Sequence, residues 1–218
     1  MTALDEPLVT TASVTDVLAA IESADLEAPW EEMAPRLCVA LPRRRALPVD
    51  PGELPMRVYP PGLETVLGLD IGPAMLFVPP EQLVKWEVSP DEAFERALDN
   101  VRERVGARRQ FALVHERIAD VPTLAFQSRE GWASQLLLLP DELVRVLGDR
   151  SGLILAPMRD LIIRLPLDVE REFAHWLLEE FAEVDMNALD VPPLALVDGH
   201  LTAAVGVPQS LRRAAPTH

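Results

Sequence analysis

The stretch Gly152 to Leu165, GLILAPMRDLIIRL, constrains the fold more than any other: two short apolar runs flank Pro157, Met158, Arg159 and Asp160. The runs are rich in Leu and β-branched residues and have ordinary strand length. Pro and Asp are turn formers, so the stretch predicts a buried β-hairpin with the tetrapeptide at its tip. The chain before it would build a surface for the hairpin, and the acidic helix after it would cover it. An Arg and an Asp side by side at a turn either pin it through an ion pair or face a ligand. Both roles stay open for Arg159 and Asp160.

With 218 residues, the chain has enough length for one large domain or two small lobes and needs no disulfide to hold a core. The single Cys38 has no intrachain partner and no Cys/His spacing resembles a zinc site, so a reducing cytoplasm is the expected setting and Cys38 is read as core. The apolar runs are broken by Pro and charge before they reach the ~18 residues that span a bilayer. The beginning, MTALDEPLVTTAS, lacks the basic and apolar regions of a secretory signal. A net charge of −15 would repel nucleic acid and anionic membranes, so neither is expected as a partner. The compact basic patch Arg43, Arg44, Arg45, between Pro42 and Pro48, reads as a solvated loop.

From Ser13 the spacing of Val14, Val17, Leu18 and Ile21 predicts a short amphipathic helix capped by Ser13. Beyond a loop through Pro29 and Trp30, Leu37 to Leu41 and Met56 to Tyr59 read as strands joined by a proline-rich connection, and Leu63 to Ile71 with Ala74 to Val78 as a hairpin around Gly72 and Pro73. Pro80 suits the first turn of a helix that would turn Leu83, Val84 and Trp86 inward. Ser89, Pro90, Asp91, Glu92 has the form of a capping box, followed by a long helix with Ala93, Phe94, Ala97, Leu98, Val101 and Val105 in one stripe and Gly106 as its stop. Phe111 to His115 and Val121 to Gln127 predict a hairpin around Glu116 to Asp120. LLLLPDELVRV from Leu136 aligns with LFVPPEQLVKW from Leu76, which predicts a strand feeding a helix in both places. After the central hairpin, Asp168 is expected to cap a helix whose inner face carries Val169, Phe173, Trp176, Leu177 and Phe181. From Asp168 to Asp190 there are eight acidic residues and one Arg. A last hairpin is expected around Asp198 and Gly199.

The chain has no phosphate-cradling glycine loop, dinucleotide fingerprint, HExxH or nucleophile elbow; GDRSG at Gly148 to Gly152 carries Arg150 where the serine would stand. Glu172 and His175 have the i, i+3 spacing of di-iron bundles but occur once, without the facing carboxylates. Asp185, Asn187 and Asp190 lack the Gly and terminal Glu of a calcium loop. No catalytic residue, metal or cofactor is therefore assigned.

Three stretches carry a resemblance: LGLDIGPAMLFVPPEQLVKWEVSPDEAFERALDNVRERV from Leu67, WASQLLLLPDEL from Trp132 and APMRDLIIRL from Ala156. In these the chain resembles the YtpQ-like family of uncharacterised bacterial proteins over most of residues 63–201. The family pattern at the central turn, Pro-Asn-Arg-Asp, is matched by Pro157, Arg159 and Asp160, with Met158 in place of the polar residue. The family implies no settled activity. From Ser89 the expected order of helix, three strands, helix, two strands, helix is similar to that of type III secretion chaperones, small acidic α+β proteins that bind other proteins.

The expectation is an α+β protein of antiparallel sheets flanked by helices. A flexible tail at 1–12 precedes an N-terminal lobe at 13–88, and a C-terminal domain at 89–203 precedes a second tail at 204–218. Function is expected to be non-enzymatic protein binding, as a chaperone, adaptor or toxin-neutralising partner, through an acidic or apolar surface. Met158, Arg159, Asp160, Glu172, Glu179, Glu180 and Glu183 are the candidate binding residues. The expected partner is another protein, basic in character, with a homodimer as a further option. Two alternatives remain: an enzyme of unrecognised class, with Arg159 orienting an anionic substrate and Asp160 or His115 as base, and a structural subunit of a larger assembly.

Overall fold

In the computed structural model, which describes residues 14–25, 27–43, 54–72, 74–185 and 188–204, the first part of the chain is arranged around one strand. Helix α1 (Val14–Ser23), the short α2 (Trp30–Met33) and a 3-10 turn at Ala34–Arg36 lead into β1 (Leu37–Ala40), β2 (Met56–Tyr59), β3 (Leu63–Asp70) and β4 (Met75–Phe77). β3 is the centre of this sheet. It pairs antiparallel with β1 along one edge, while β2 and β4 take successive halves of the other. Leu63, Thr65, Leu67 and Leu69 are buried on one face of β3, the alternation expected of a sheet that packs one side on a core.

Two helices follow, and both begin with proline. In α3 (Pro80–Lys85), Leu83 and the following Trp86 turn inward as expected, whereas Val84 is 76% exposed. α4 (Pro90–Gly106) buries the whole expected stripe, and its N-cap Ser89 accepts a hydrogen bond from the Glu92 amide at 3.2 Å. Arg57 of β2 ties the start of α4 to the first sheet through Asp91 at 2.6 Å and Glu95 at 2.8 Å.

The second sheet is built from β5 (Leu113–Ile118), β6 (Val121–Gln127), β7 (Gly152–Met158), β8 (Leu161–Leu165), β9 (Leu194–Val197) and β10 (His200–Ala203), all antiparallel, in the spatial order β10-β9-β7-β8-β6-β5. Between β6 and β7 lie a 3-10 turn at Ala133–Leu138 and α5 (Pro140–Leu147); α6 (Arg171–Val184) follows β8. β7 is buried at every position because both faces are covered. Ile154 and Ala156 enter a large apolar cluster that reaches from Ala28 and Met33 through α4 to Leu201, and Leu153 and Leu155 enter a smaller one beneath α6. Buried polar bonds stitch the large cluster across the chain. Gln135 Oε1 accepts from the Val39 amide at 3.0 Å, and Asn100 Nδ2 donates to the carbonyls of Ala34 and Leu37 at 2.8 and 2.9 Å.

The class is α+β with antiparallel sheets, as expected. Five local expectations need correction. The central turn is tighter than a tetrapeptide: Pro157 and Met158 belong to β7, Met158 pairs with Leu161, and only Arg159 and Asp160 turn. Pro157 is tolerated because it falls in the register shift between Leu155 and Met158, where the ladder is already interrupted. The run before Pro140 is a buried 3-10 turn rather than a strand, so its likeness to the run at Leu76 does not extend to its conformation, and the C-terminal order has two strands where three were expected. The β5–β6 turn is shortened to Ala119 and Asp120, both at positive φ, as a two-residue hairpin demands. α6 starts at Arg171 with Glu170 at the N-cap and no side-chain cap, because Leu167 and Val169 turn inward ahead of it and Asp168 stays outside. Two residues of the apolar stripe of α1 are open to water, Leu18 at 54% and Ile21 at 40% exposure. The expected Ser13 cap and the two tails, apart from Ala204, lie outside the described residues, while the hairpin at Asp198 and Gly199 forms as β9–β10.

Candidate functional site

Arg159 and Asp160 neither pair with each other nor point the same way. The turn itself is fixed from outside by backbone bonds, the Ser128 amide donating to the Asp160 carbonyl at 2.9 Å and the Ser134 amide to the Arg159 carbonyl at 3.0 Å. Asp160 Oδ2 accepts from Gln127 Nε2 at 3.0 Å. The Arg159 side chain runs instead toward the first sheet, where Asp70 closes β3: its Nη2 is 3.9 Å from Asp70 Oδ1, and Arg104 of α4 brings its own Nη2 to 3.9 Å from Oδ2. Arg36 adds a third guanidinium, its Nε donating to the Asp70 carbonyl at 3.3 Å. Both sheets and α4 thus meet at one aspartate, and the turn supplies one of the three arginines around it.

The surroundings of this junction define what chemistry it can do. Cys38 of β1 lies opposite Gly68 in the register, and burial, reinforced by the charge of Asp70, pushes its thiol up to about 12. At neutral pH it remains a protonated core thiol, so the junction does not hold a thiolate nucleophile or ligand. Arg43 bridges to Leu189, whose amide donates to the Pro157 carbonyl at 2.9 Å, so its backbone also sits beside the end of β7. Burial and then the charge of Arg159 push Arg43 below its ordinary value, while Asp185 acts the other way. Among the described residues, no group of three His, Cys, Asp or Glu side chains is placed to hold a metal ion. The junction is a gathering of cations in a chain of net charge −15.

The other candidate residues fall elsewhere. Met158 is 3% exposed and packs in the cluster beneath α6, so its side chain is core rather than a contact surface. Glu172, Glu179, Glu180 and Glu183 are exposed on α6. The buried stripe of α6 is Ala174, Leu177 and Leu178, flanked by Phe173 and Phe181. Trp176, expected inside, is 45% exposed, because residues 174, 177, 178 and 181 share one face and position 176 falls about 200° round the helix from 174. Phe173 supports its ring at a centroid distance of 5.6 Å. Val184, at the end of the helix, is 76% exposed. Beside the first turns of α6 lies a mainly apolar groove lined by Leu153, Leu167, Val169, Ala174 and Pro193, with Arg171 and His175 also on its wall. His115 is exposed on β5, the outermost strand of the sheet.

Sequence reasoning missed Asp70, Arg36 and Arg104, which come from three separated stretches, and misplaced Trp176. The shorter period of the α6 stripe, 174, 177, 178, 181, was the one signal that could have put Trp176 outside. No family model, curated protein or solved structure matches the chain. No helix among the described residues is long and apolar enough to cross a membrane.

Proposed function

We propose that this chain is a cytoplasmic, non-enzymatic protein-binding module, a chaperone, adaptor or toxin-neutralising partner, that docks a basic protein on the outer face of α6. The observation that carries this reading is Trp176, 45% exposed on a helix whose other outward groups include Glu172, Glu179, Glu180 and Glu183. An indole left half in water is a large unspent apolar surface, and Trp is enriched among the anchors of protein interfaces. The carboxylates around it select by charge: they repel acidic surfaces, favour a partner with Lys or Arg, and speed the encounter. Phe173, whose ring lies 5.6 Å from that of Trp176, extends the anchor's footprint. The likeness to the YtpQ-like family belongs to the same reading.

The test is to recover the tagged full-length chain from its own cells at low salt, identify the stoichiometric partner, and measure its affinity for three forms of the chain. Replacing all four glutamates by Gln is expected to weaken the complex and flatten its salt dependence, and Trp176→Ala to weaken it at every salt concentration, with circular dichroism unchanged for both. Equal affinity of all three forms, or no stoichiometric partner at low salt, overturns the reading.

A further inference from the structure

Arg104 and Arg159 share one carboxylate without being satisfied by it. A guanidinium carries five N–H donors in a planar fork, and 3.9 Å is beyond hydrogen-bond reach. Among the described residues, neither side chain donates a hydrogen bond to a protein acceptor. Asp70 is also partly engaged elsewhere, its Oδ1 accepting from the Gly72 amide at 3.0 Å.

The two arginines are nevertheless partly withdrawn from water. Each side chain is 26% exposed, so most of its surface is out of water. The Arg159 guanidinium lies against the backbone of Gly131, which adopts φ +74°. Glycine suits that left-handed backbone and leaves room for the guanidinium. Partly desolvated and under-bonded guanidinium forks suit oxyanion recognition, since part of the desolvation cost is already met and the donors are open.

We propose that Arg104 and Arg159, with Arg36 at the rim, form a binding site for a phosphate-type dianion, the phosphoryl group of a small ligand. Charge supports this class. Three guanidiniums against Asp70 leave a local excess of two positive charges, which matches a phosphate monoester near neutral pH. Arg104 and Arg159 both lie 3.9 Å from the oxygens of one carboxylate, so the two forks border the same small region beside Asp70. The site uses none of the residues on the outer face of α6, so it stands or falls separately from the docking surface.

Calorimetric titration of the full-length chain with inorganic phosphate, at ionic strength held constant with chloride, tests the site. A parallel titration with phosphoserine distinguishes free phosphate from a phosphorylated ligand by which binds tighter. Saturable binding is expected, weakened about tenfold or more by Arg104→Gln and by Arg159→Gln. Asp70→Asn removes the internal competitor and should tighten binding, which an ion-pair cluster of purely structural role would not do. Arg159→Lys, which keeps the charge but loses the fork, should bind more weakly than the parent and serves if the Gln variant does not fold. Absence of saturable phosphate binding, unchanged affinity in the arginine variants, or weaker binding by Asp70→Asn overturns the proposal.

Discussion

α4 and α6 are both amphipathic, and the fold treats them differently. α4 buries seven of its 17 residues, is capped by Ser89, and carries Asn100 inside the core as a clamp on the 3-10 turn and β1. α6 buries three of its 14 residues, has no side-chain cap, and leaves Trp176 and Val184 in water among its carboxylates. One helix lies within the large cluster that joins both sheets; the other covers the opposite face of the second sheet through a small cluster of its own. A helix that gives so little to the core is free to vary its outer face for another purpose. This contrast, rather than the acidity of α6 alone, makes that helix the better candidate for a docking surface.

Truncating one buried side chain on each helix gives the largest separation. Phe94 is 1% exposed and lies beneath the Arg57 guanidinium, 5.3 Å from its ring centroid. Phe94→Ala is expected to cost about 3–5 kcal/mol, from lost apolar transfer and the cavity left between two sheets. Leu177→Ala, at 4% exposure beneath α6, should stay near the low end of the Leu range, about 2–3 kcal/mol, because α6 can settle toward the sheet beside an open groove. Urea denaturation of the two variants measures both. Equal losses would mean that α6 is as integral to the core as α4.

Asn100 sharpens the comparison at intermediate scale. It occupies a buried position of α4, 4% exposed, and its Nδ2 donates to backbone carbonyls ahead of and at the start of β1. Asn100→Leu keeps the γ-branched outline but adds bulk and strips the Ala34 and Leu37 carbonyls of these bonds, at an expected cost of about 1–3 kcal/mol. Amide exchange should accelerate around Ala34 to Ala40 and leave α6 unchanged. Faster exchange in α6 would show that the two helices are coupled through the sheet.

What could be read from the sequence follows how local each cause is. The α4 cap is written in four consecutive residues, and the apolar stripe behind it repeats often enough to fix its face, so both were legible. The run Leu136 to Leu139 was not, because an unbroken apolar run has no period; its 3-10 form is decided by what surrounds it, including Gln135, whose amide satisfies β1 from outside. Asn100 carried a usable signal, a polar side chain among Ala97, Leu98 and Val101, but its acceptors lie more than sixty residues away. The junction at Asp70 is the extreme case. Arg36, Asp70, Arg104 and Arg159 come from the end of a 3-10 turn, the end of a strand, the last turn of a helix and a hairpin tip, and only the tertiary fold gives them a common address. The central turn was found at its correct place but with its side chains directed wrongly, since neighbours in sequence at a two-residue turn need not share a target.

The smallest effects belong to the helix starts. Ser89 supplies a side-chain acceptor to the Glu92 amide, one of the first-turn donors that no helical carbonyl can reach, so Ser89→Ala should cost about 1 kcal/mol. Glu170 holds the same position on α6 without such a bond, and Glu170→Ala removes only its interaction with the helix dipole, an expected loss of about 0.3–0.5 kcal/mol that salt should diminish. The salt series separates the two causes: a cap hydrogen bond is local and survives screening, whereas the dipole interaction fades. If Glu170→Ala were to cost as much as Ser89→Ala at high salt, α6 would be capped by geometry after all, and its light attachment would have to rest on its small buried stripe alone.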